Sequence, residues 1–201
     1  MEKDTQTKLL EAATLLFARK GFSAVSTREL AEAAGVNVAA ISYHFRGKEG
    51  LYQATLEEQF VPISQALQAV EAAAGLSAAE RLALYAQHVA GIHQQRPFII
   101  RFIHLEITNP TPCFETVVKK YISRVFRFIY QALADGVANG QFRTDLNLGF
   151  AAVSLAGIMN FYFFAKPIFE DFMPLPATSD QDYTAQAFRI YLDGIRRKED
   201  E

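Results

Sequence analysis

The sequence predicts an all-α fold: a short three-helix unit containing a helix-turn-helix over residues 1–58, then a larger helical domain over residues 59–201. Three observations predict it. Apolar residues recur at intervals of three and four in successive segments, the period of a helix with one buried face. Ser-x-x-Glu pairs stand before two of these segments, at Ser26/Glu29 and Ser77/Glu80, where a hydroxyl and a carboxylate satisfy free N–H groups at a helix start. No Asn-Gly turn joins two alternating runs, because Asn139-Gly140 follows a helical pattern and reads as its end.

Taken in order, the first helix is expected from about Lys3 to Lys20, with Leu9, Ala13, Leu16 and Phe17 on its buried side and Gly21 as terminator. Phe22 and Val25 tuck beneath it. Ser26 then caps a second helix whose Leu30, Ala31 and Ala34 share one face, and Gly35 sits where a left-handed residue ends a helix at little cost. Asn37 caps a third, Val38 to Phe45, with Ile41 and Phe45 at i, i+4 in the core. Two short helices joined by a Gly-containing turn form the geometry that lays a helix in a DNA major groove. A fourth helix opens at Gly47-Lys48 and carries Leu51, Tyr52, Leu56 and Phe60. Pro62 and the Ala-rich stretch to Gly75 change the character of the chain, which places the domain boundary near Glu58.

Beyond it, a helix with Leu82, Tyr85, Ala86 and Val89 follows Ser77, and a short one over Pro97 to Ile107 stops at Asn109-Pro110-Thr111-Pro112. Phe114 to Ala138 reads as a long helix. Leu146 to about Ala165 is uncharged and limited by Pro167. A loop from Phe172 to Asp180 leads to a last helix ending in Arg196, Arg197 and Lys198, cations that suit the negative end of a helix dipole.

Composition narrows the function. Half of the residues are apolar and 21% are charged, a well-buried globular chain. A net charge of −2 excludes a polybasic binder. Between residues 19 and 48, however, Arg19, Lys20, Arg28, Arg46 and Lys48 face only Glu29 and Glu32, a patch suited to a few placed phosphate contacts. Cys113 is alone, which excludes an intrachain disulfide, and no apolar stretch follows the opening MEKDTQTK; a cytoplasmic location is expected. Leu146–Ala165 is long enough to span a bilayer, but it contains Asn147, Ser154, Asn160 and two glycines. It reads as a buried helix, and no membrane partner is expected.

Thr27-Arg28-Glu29-Leu30-Ala31, Ala34-Gly35-Val36, Tyr43-His44-Phe45 and Lys48-Glu49-x-Leu51, preceded by Phe17-x-x-x-Gly21-Phe22, resemble the TetR family of bacterial transcriptional repressors over residues 8 to 56. The resemblance implies that Thr27, Tyr43 and Lys48 contact phosphates of a double-stranded operator. It implies too that Asn37, Val38, Ala39, Ser42 and His44 lie along the reading face and that Arg28 reaches a base or a phosphate. Hydroxyls, ammonium groups and helix N-termini are the usual phosphate partners. Family members often carry polar residues and an earlier tyrosine along the recognition helix. The run here is Val38-Ala39-Ala40-Ile41-Ser42, so thymine methyls, Arg28 and DNA shape are expected to carry specificity.

The same resemblance implies a homodimer built on the last two long helices, with Ala152, Ala156, Phe161, Phe188, Tyr191, Leu192 and Ile195 at the interface. It also implies a small effector. Seventeen phenylalanines, concentrated after residue 97, favour a hydrophobic or aromatic one. Its expected lining is His88, Phe98, Arg101, Phe102, His104, Tyr121, Asn160, Phe161 and Tyr162. Arg101, His104 and Glu106 read better as structural groups, with Glu106 open to an ion pair with Arg101. No enzyme is expected: no Gly-rich phosphate loop, nucleophile elbow or CxxC occurs, and His88 and His93 lie about 140° apart on a helix. Catalytic residues, metal ligands and cofactors are accordingly expected to be none. The sign of regulation stays open, a helix-turn-helix activator or an effector-independent DNA-binding protein being the alternative and a small helical metal-dependent enzyme a remote one.

Overall fold

Asp4 accepts a hydrogen bond from the Thr7 N–H at 2.8 Å and so starts α1, Thr5–Ala24. The computed structural model describes residues 4–173 and 179–197; Lys3, part of the Phe172–Asp180 loop and Lys198 lie outside them. Gly21 interrupts α1 with φ 77° and ψ 168°, a conformation that glycine adopts at little cost. The helices α2 (Thr27–Ala34), α3 (Ala39–Phe45), α4 (Lys48–Ala72), α5 (Ala78–Gln95) and α6 (Ile99–Thr108) follow. A π-helical turn at Phe114–Val118 then leads into α7 (Lys119–Ala138), α8 (Leu148–Phe169) and α9 (Ser179–Ile195). Among the described residues the only extended pairing is a single bridge between Phe142 and Arg196.

The chain forms two compact units, residues 1–61 with 101–120, and residues 62–100 with 121–201. The break at Val61/Pro62 falls three residues past the position expected from sequence, and α6 from Arg101 onward joins the N-terminal unit. Aromatic packing explains that assignment. Tyr52 lies edge-on to Phe17 at 4.8 Å between ring centroids, and fully buried Phe102 meets the same ring at 6.3 Å. Leu9, Leu30, Ile41 and Leu56 complete this core.

The second unit packs α5 against α9 and α8. Two tyrosines tie α9 to α8: Tyr191 donates to the Ala151 carbonyl at 2.9 Å and Tyr183 to that of Ile158 at 2.6 Å. Burial pushes the Tyr191 phenol up to about 12, so it remains a donor. Ser77 and Glu80 form the expected reciprocal cap of α5.

Two prolines do not act as the sequence suggests. Pro62 lies inside α4 and Pro167 inside α8, each helix running past it. An interior proline costs about 3 kcal/mol. Continuing α4 buries Ile63, Ala66, Leu67 and Val70, and each large apolar side chain so buried contributes roughly 1.5–3 kcal/mol. Long-range burial outweighs the local break.

Candidate nucleic-acid interface

The interface is assembled from helix ends. The Ser26 Oγ accepts the Glu29 N–H at 3.1 Å, fixing the start of α2 and with it Thr27 and Arg28. Glu29 is held in turn by Lys20, whose ammonium donates at 2.6 Å and keeps the carboxyl below its ordinary range. Gly35 takes the left-handed conformation, φ 63° and ψ 37°, and turns the chain toward α3. There the Asn37 Oδ1 accepts the Ala39 N–H at 2.9 Å. Arg46 closes α3 in the same left-handed region, φ 63°, with the Gly47 N–H reaching back to the Ile41 carbonyl at 3.4 Å.

Side chains at these ends reach solvent. Arg28, Asn37, Val38, Ala39, Ser42 and Tyr43 are exposed; Tyr43 is 83% accessible, far beyond what a packing tyrosine shows. Thr27, His44 and Lys48 are half-buried. The Tyr43 and His44 rings meet edge-on at 4.8 Å. Ile41, one position from Ser42, is buried instead and anchors α3 to the core. All nine residues expected to contact DNA therefore occur on α2, α3, the turn between them and the start of α4, with the anchors turned away.

Sequence reasoning missed Gly50. A Cβ there would collide with the Phe45 carbonyl, so α4 starts against the end of α3 only because this residue has no side chain. Its signal, a glycine in the first turn of an otherwise ordinary helix, is weak without the backbone. The pairing of Tyr52 with Glu106 was also missed. Glu106 is 1% exposed and accepts from the Tyr52 hydroxyl at 2.6 Å and from the Thr111 N–H and hydroxyl at 3.0–3.2 Å. Burial first, then the Glu106 hydrogen bond, raises the Tyr52 phenol far above its ordinary value, so Tyr52 is the donor. Arg101 donates to the Arg19 carbonyl at 3.5 Å, and its pairing with Glu106 is not observed.

The residues expected to line an effector pocket divide between the two compact units. Arg101, Phe102 and His104 belong to the first compact unit, where Phe102 is wholly buried and the other two are exposed. His88, Phe98, Tyr121, Asn160, Phe161 and Tyr162 belong to the second. Its cavity of about 370 Å³ is lined by Ala83, Ala86, Gln87, Thr184, Ala185 and Phe188 among others, and contains none of them. Neither does a wider groove of about 790 Å³ edged by Arg81, Arg124, Arg127, Phe126 and Tyr130. His88 is bound to the Leu84 carbonyl of its own helix at 2.8 Å. His93 stacks on Phe163 at 3.8 Å and meets the Asn160 Oδ1 at 3.1 Å; burial lowers its pKa.

Of the residues expected between subunits, Ala152, Phe188, Tyr191, Leu192 and Ile195 are buried within the protomer, in the α5–α8–α9 packing. Ala156 is half-buried. Phe161 does face outward at 59% exposure, in a stripe of α8 that also shows Phe150, Val153, Phe164 and Ile168. This helix is long and apolar enough to cross a membrane by length and composition alone. A third of its apolar window is buried by its own chain, and the rest is half-buried or exposed.

Residues 9–55 match the family model of bacterial regulatory proteins, tetR family, and residues 78–195 match that of the C-terminal domain of the HTH-type transcriptional dual regulator CecR. The chain belongs to the TetR family of bacterial regulatory proteins, its helix-turn-helix lying in the first matched segment. It is 31% identical over 136 residues to the "Probable HTH-type transcriptional regulator YttP" of Bacillus subtilis (strain 168). That match covers 67% of this chain and 65% of the relative, just under two thirds of its length. Among solved structures, the ketosteroid transcriptional regulator KstR2 of Mycobacterium tuberculosis shares the fold at a TM-score of 0.74, with 20% identity and 98% of each chain covered. AibR, in complex with isovaleryl coenzyme A and operator DNA, also aligns at 0.74, with 17% identity over 93% of this chain and 97% of its own.

Proposed function

We propose that the chain is a ligand-responsive repressor that binds a near-palindromic operator as a homodimer and is released by a small hydrophobic or aromatic effector. The observation that carries the DNA part is the exposure of Arg28, Asn37, Val38, Ala39, Ser42 and Tyr43 on α2, α3 and the turn between them, with Thr27, His44 and Lys48 half-buried on the same elements and the start of α4. Thr27, Tyr43 and Lys48 hold phosphates; Val38 and Ala39 meet thymine methyls, and Arg28 supplies the strongest base-reading group. A dimer places two such heads about 34 Å apart on successive major grooves.

The outward stripe of α8 supports the dimer. Phe150, Val153, Phe161, Phe164 and Ile168 repeat at three- and four-residue spacing, with Gly157 allowing close approach, and an apolar face of this length needs a partner in water. The stripe, with Ile190 of α9, replaces the inward-facing residues as the interface. An effector works by binding one spacing of the heads better than the other, since equal affinity shifts nothing. AibR, solved with an acyl coenzyme A, supports an acyl or similarly apolar effector.

Activation instead of repression is favoured by one observation, the "dual regulator" description of the matching C-terminal domain. Selection of duplexes from a random pool with the purified chain tests the operator reading. An enriched inverted repeat with half-sites one helical turn apart supports it, and single unpaired half-sites overturn it. A promoter carrying that repeat ahead of a reporter then gives the sign.

A further inference from the structure

The Lys48 ammonium stands 4.3 Å from the centroid of the Phe22 ring. An aromatic face attracts a cation within about 6 Å through its quadrupole. Lys48 is the first residue of α4, and the helix N-terminus there already favours an anion. A carboxylate partner, such as Glu29 provides for Lys20, would neutralise the charge that a phosphate must meet. The ring holds the ammonium without neutralising it. It also covers one side only, leaving other N–H donors of the three for a phosphate oxygen.

We propose that Phe22 is a positioning residue for DNA binding, its ring fixing the Lys48 ammonium where a backbone phosphate arrives. This rests on the reading of Lys48 as a phosphate contact and deepens it. Lysine is among the side chains that lose most freedom when ordered, so ordering it beforehand lowers the cost of binding. The ring is itself fixed from behind. Phe22 packs on Tyr52 at 4.9 Å and on Phe17 at 6.1 Å, and the Tyr52 hydroxyl is tied to buried Glu106. The phosphate contact therefore depends on a side chain that faces α4 and need not touch DNA.

The test is a double-mutant cycle in the full chain, read as affinity for a duplex selected by the wild-type protein. Lys48→Ala weakens binding. Phe22→Leu weakens it by about two- to fivefold per head, the size of an exposed cation–π contact, while Phe22→Tyr, which keeps the face, retains it. In the Lys48→Ala background Phe22→Leu has little further effect. An undiminished effect in that background overturns the proposal, because Phe22 would then act through packing alone. If Lys48→Ala leaves binding unchanged, the phosphate reading of Lys48 fails instead. A readout that needs no folded Phe22→Leu variant is the proton NMR shift of the Lys48 ε-methylene in the wild-type chain. Upfield displacement by the ring current supports the contact, and a random-coil value overturns it.

Discussion

The DNA-reading unit and the α5–α8–α9 packing differ in how far apart the groups that define them lie in sequence. In the former, Ser26 with Glu29, Asn37 with Ala39 and Gly47 with Ile41 fix helix ends through bonds that span two to six residues. The functional side chains are then whatever those ends leave pointing outward. In the latter, the fixing contacts are long: Tyr191 to Ala151, Tyr183 to Ile158, His93 to Asn160. Local bonds make a reading face that a sequence displays openly. Distant bonds make a fold whose interface and cavities appear only when the chain is assembled.

The largest expected effect attacks the local side of this contrast. Gly50→Ala forces a Cβ onto the Phe45 carbonyl, and because that atom is backbone α3 must move. Overpacking of this kind costs about 1–3 kcal/mol, and operator affinity is expected to fall with the melting temperature. Unchanged melting and affinity would show that the junction yields freely.

Tyr52→Phe comes next. It leaves Glu106 buried with one partner fewer, a destabilisation of about 1–3 kcal/mol by chemical denaturation. Phe161→Arg with Phe164→Glu should leave helix content intact and shift the chain from dimer to monomer in sedimentation. A dimer that survives both charges removes the α8 stripe from the interface.

The smallest effect is a pH dependence. His93 binds its proton less readily folded than unfolded, because burial lowers its pKa; the Asn160 bond and Asp180 oppose this weakly. Between the folded value and about 6.5 the unfolded chain binds more protons, so stability is full above that range and declines as pH falls through it. His93→Gln should flatten the slope of stability as pH falls below about 6.5, and an unaltered slope would assign it to another group.

How much the sequence discloses follows the same contrast. The helix order, the caps at Ser26 and Ser77, the break at Gly21 and the outward position of Tyr43 are all legible, because each depends on residues within a turn or two; α3 starts one residue later than expected, at Ala39, with Asn37 accepting the Ala39 N–H. The continuation of α4 through Pro62 is not, since the burial that outweighs the proline is contributed by distant residues. The orientation of α8 is hidden for another reason. Nearly every position along it is apolar, so periodicity carries no information on which side faces its own protomer, and Phe188, Tyr191 and Leu192 of α9, expected at the interface, are buried within the protomer. Glu106 reads as a partner for Arg101 because the two are close in sequence. Its true partner, Tyr52, is 54 residues away.

The central claim, that the exposed face of α2 and α3 with the start of α4 grips duplex phosphates, is tested most directly by fluorescence anisotropy of a selected duplex against the wild-type chain and the Tyr43→Phe/Lys48→Ala variant over a range of salt concentrations. The account predicts weaker binding by the variant and a shallower fall of affinity with salt, by roughly one counterion for each phosphate that a head no longer neutralises. Identical affinity and salt slope for the two proteins would contradict it.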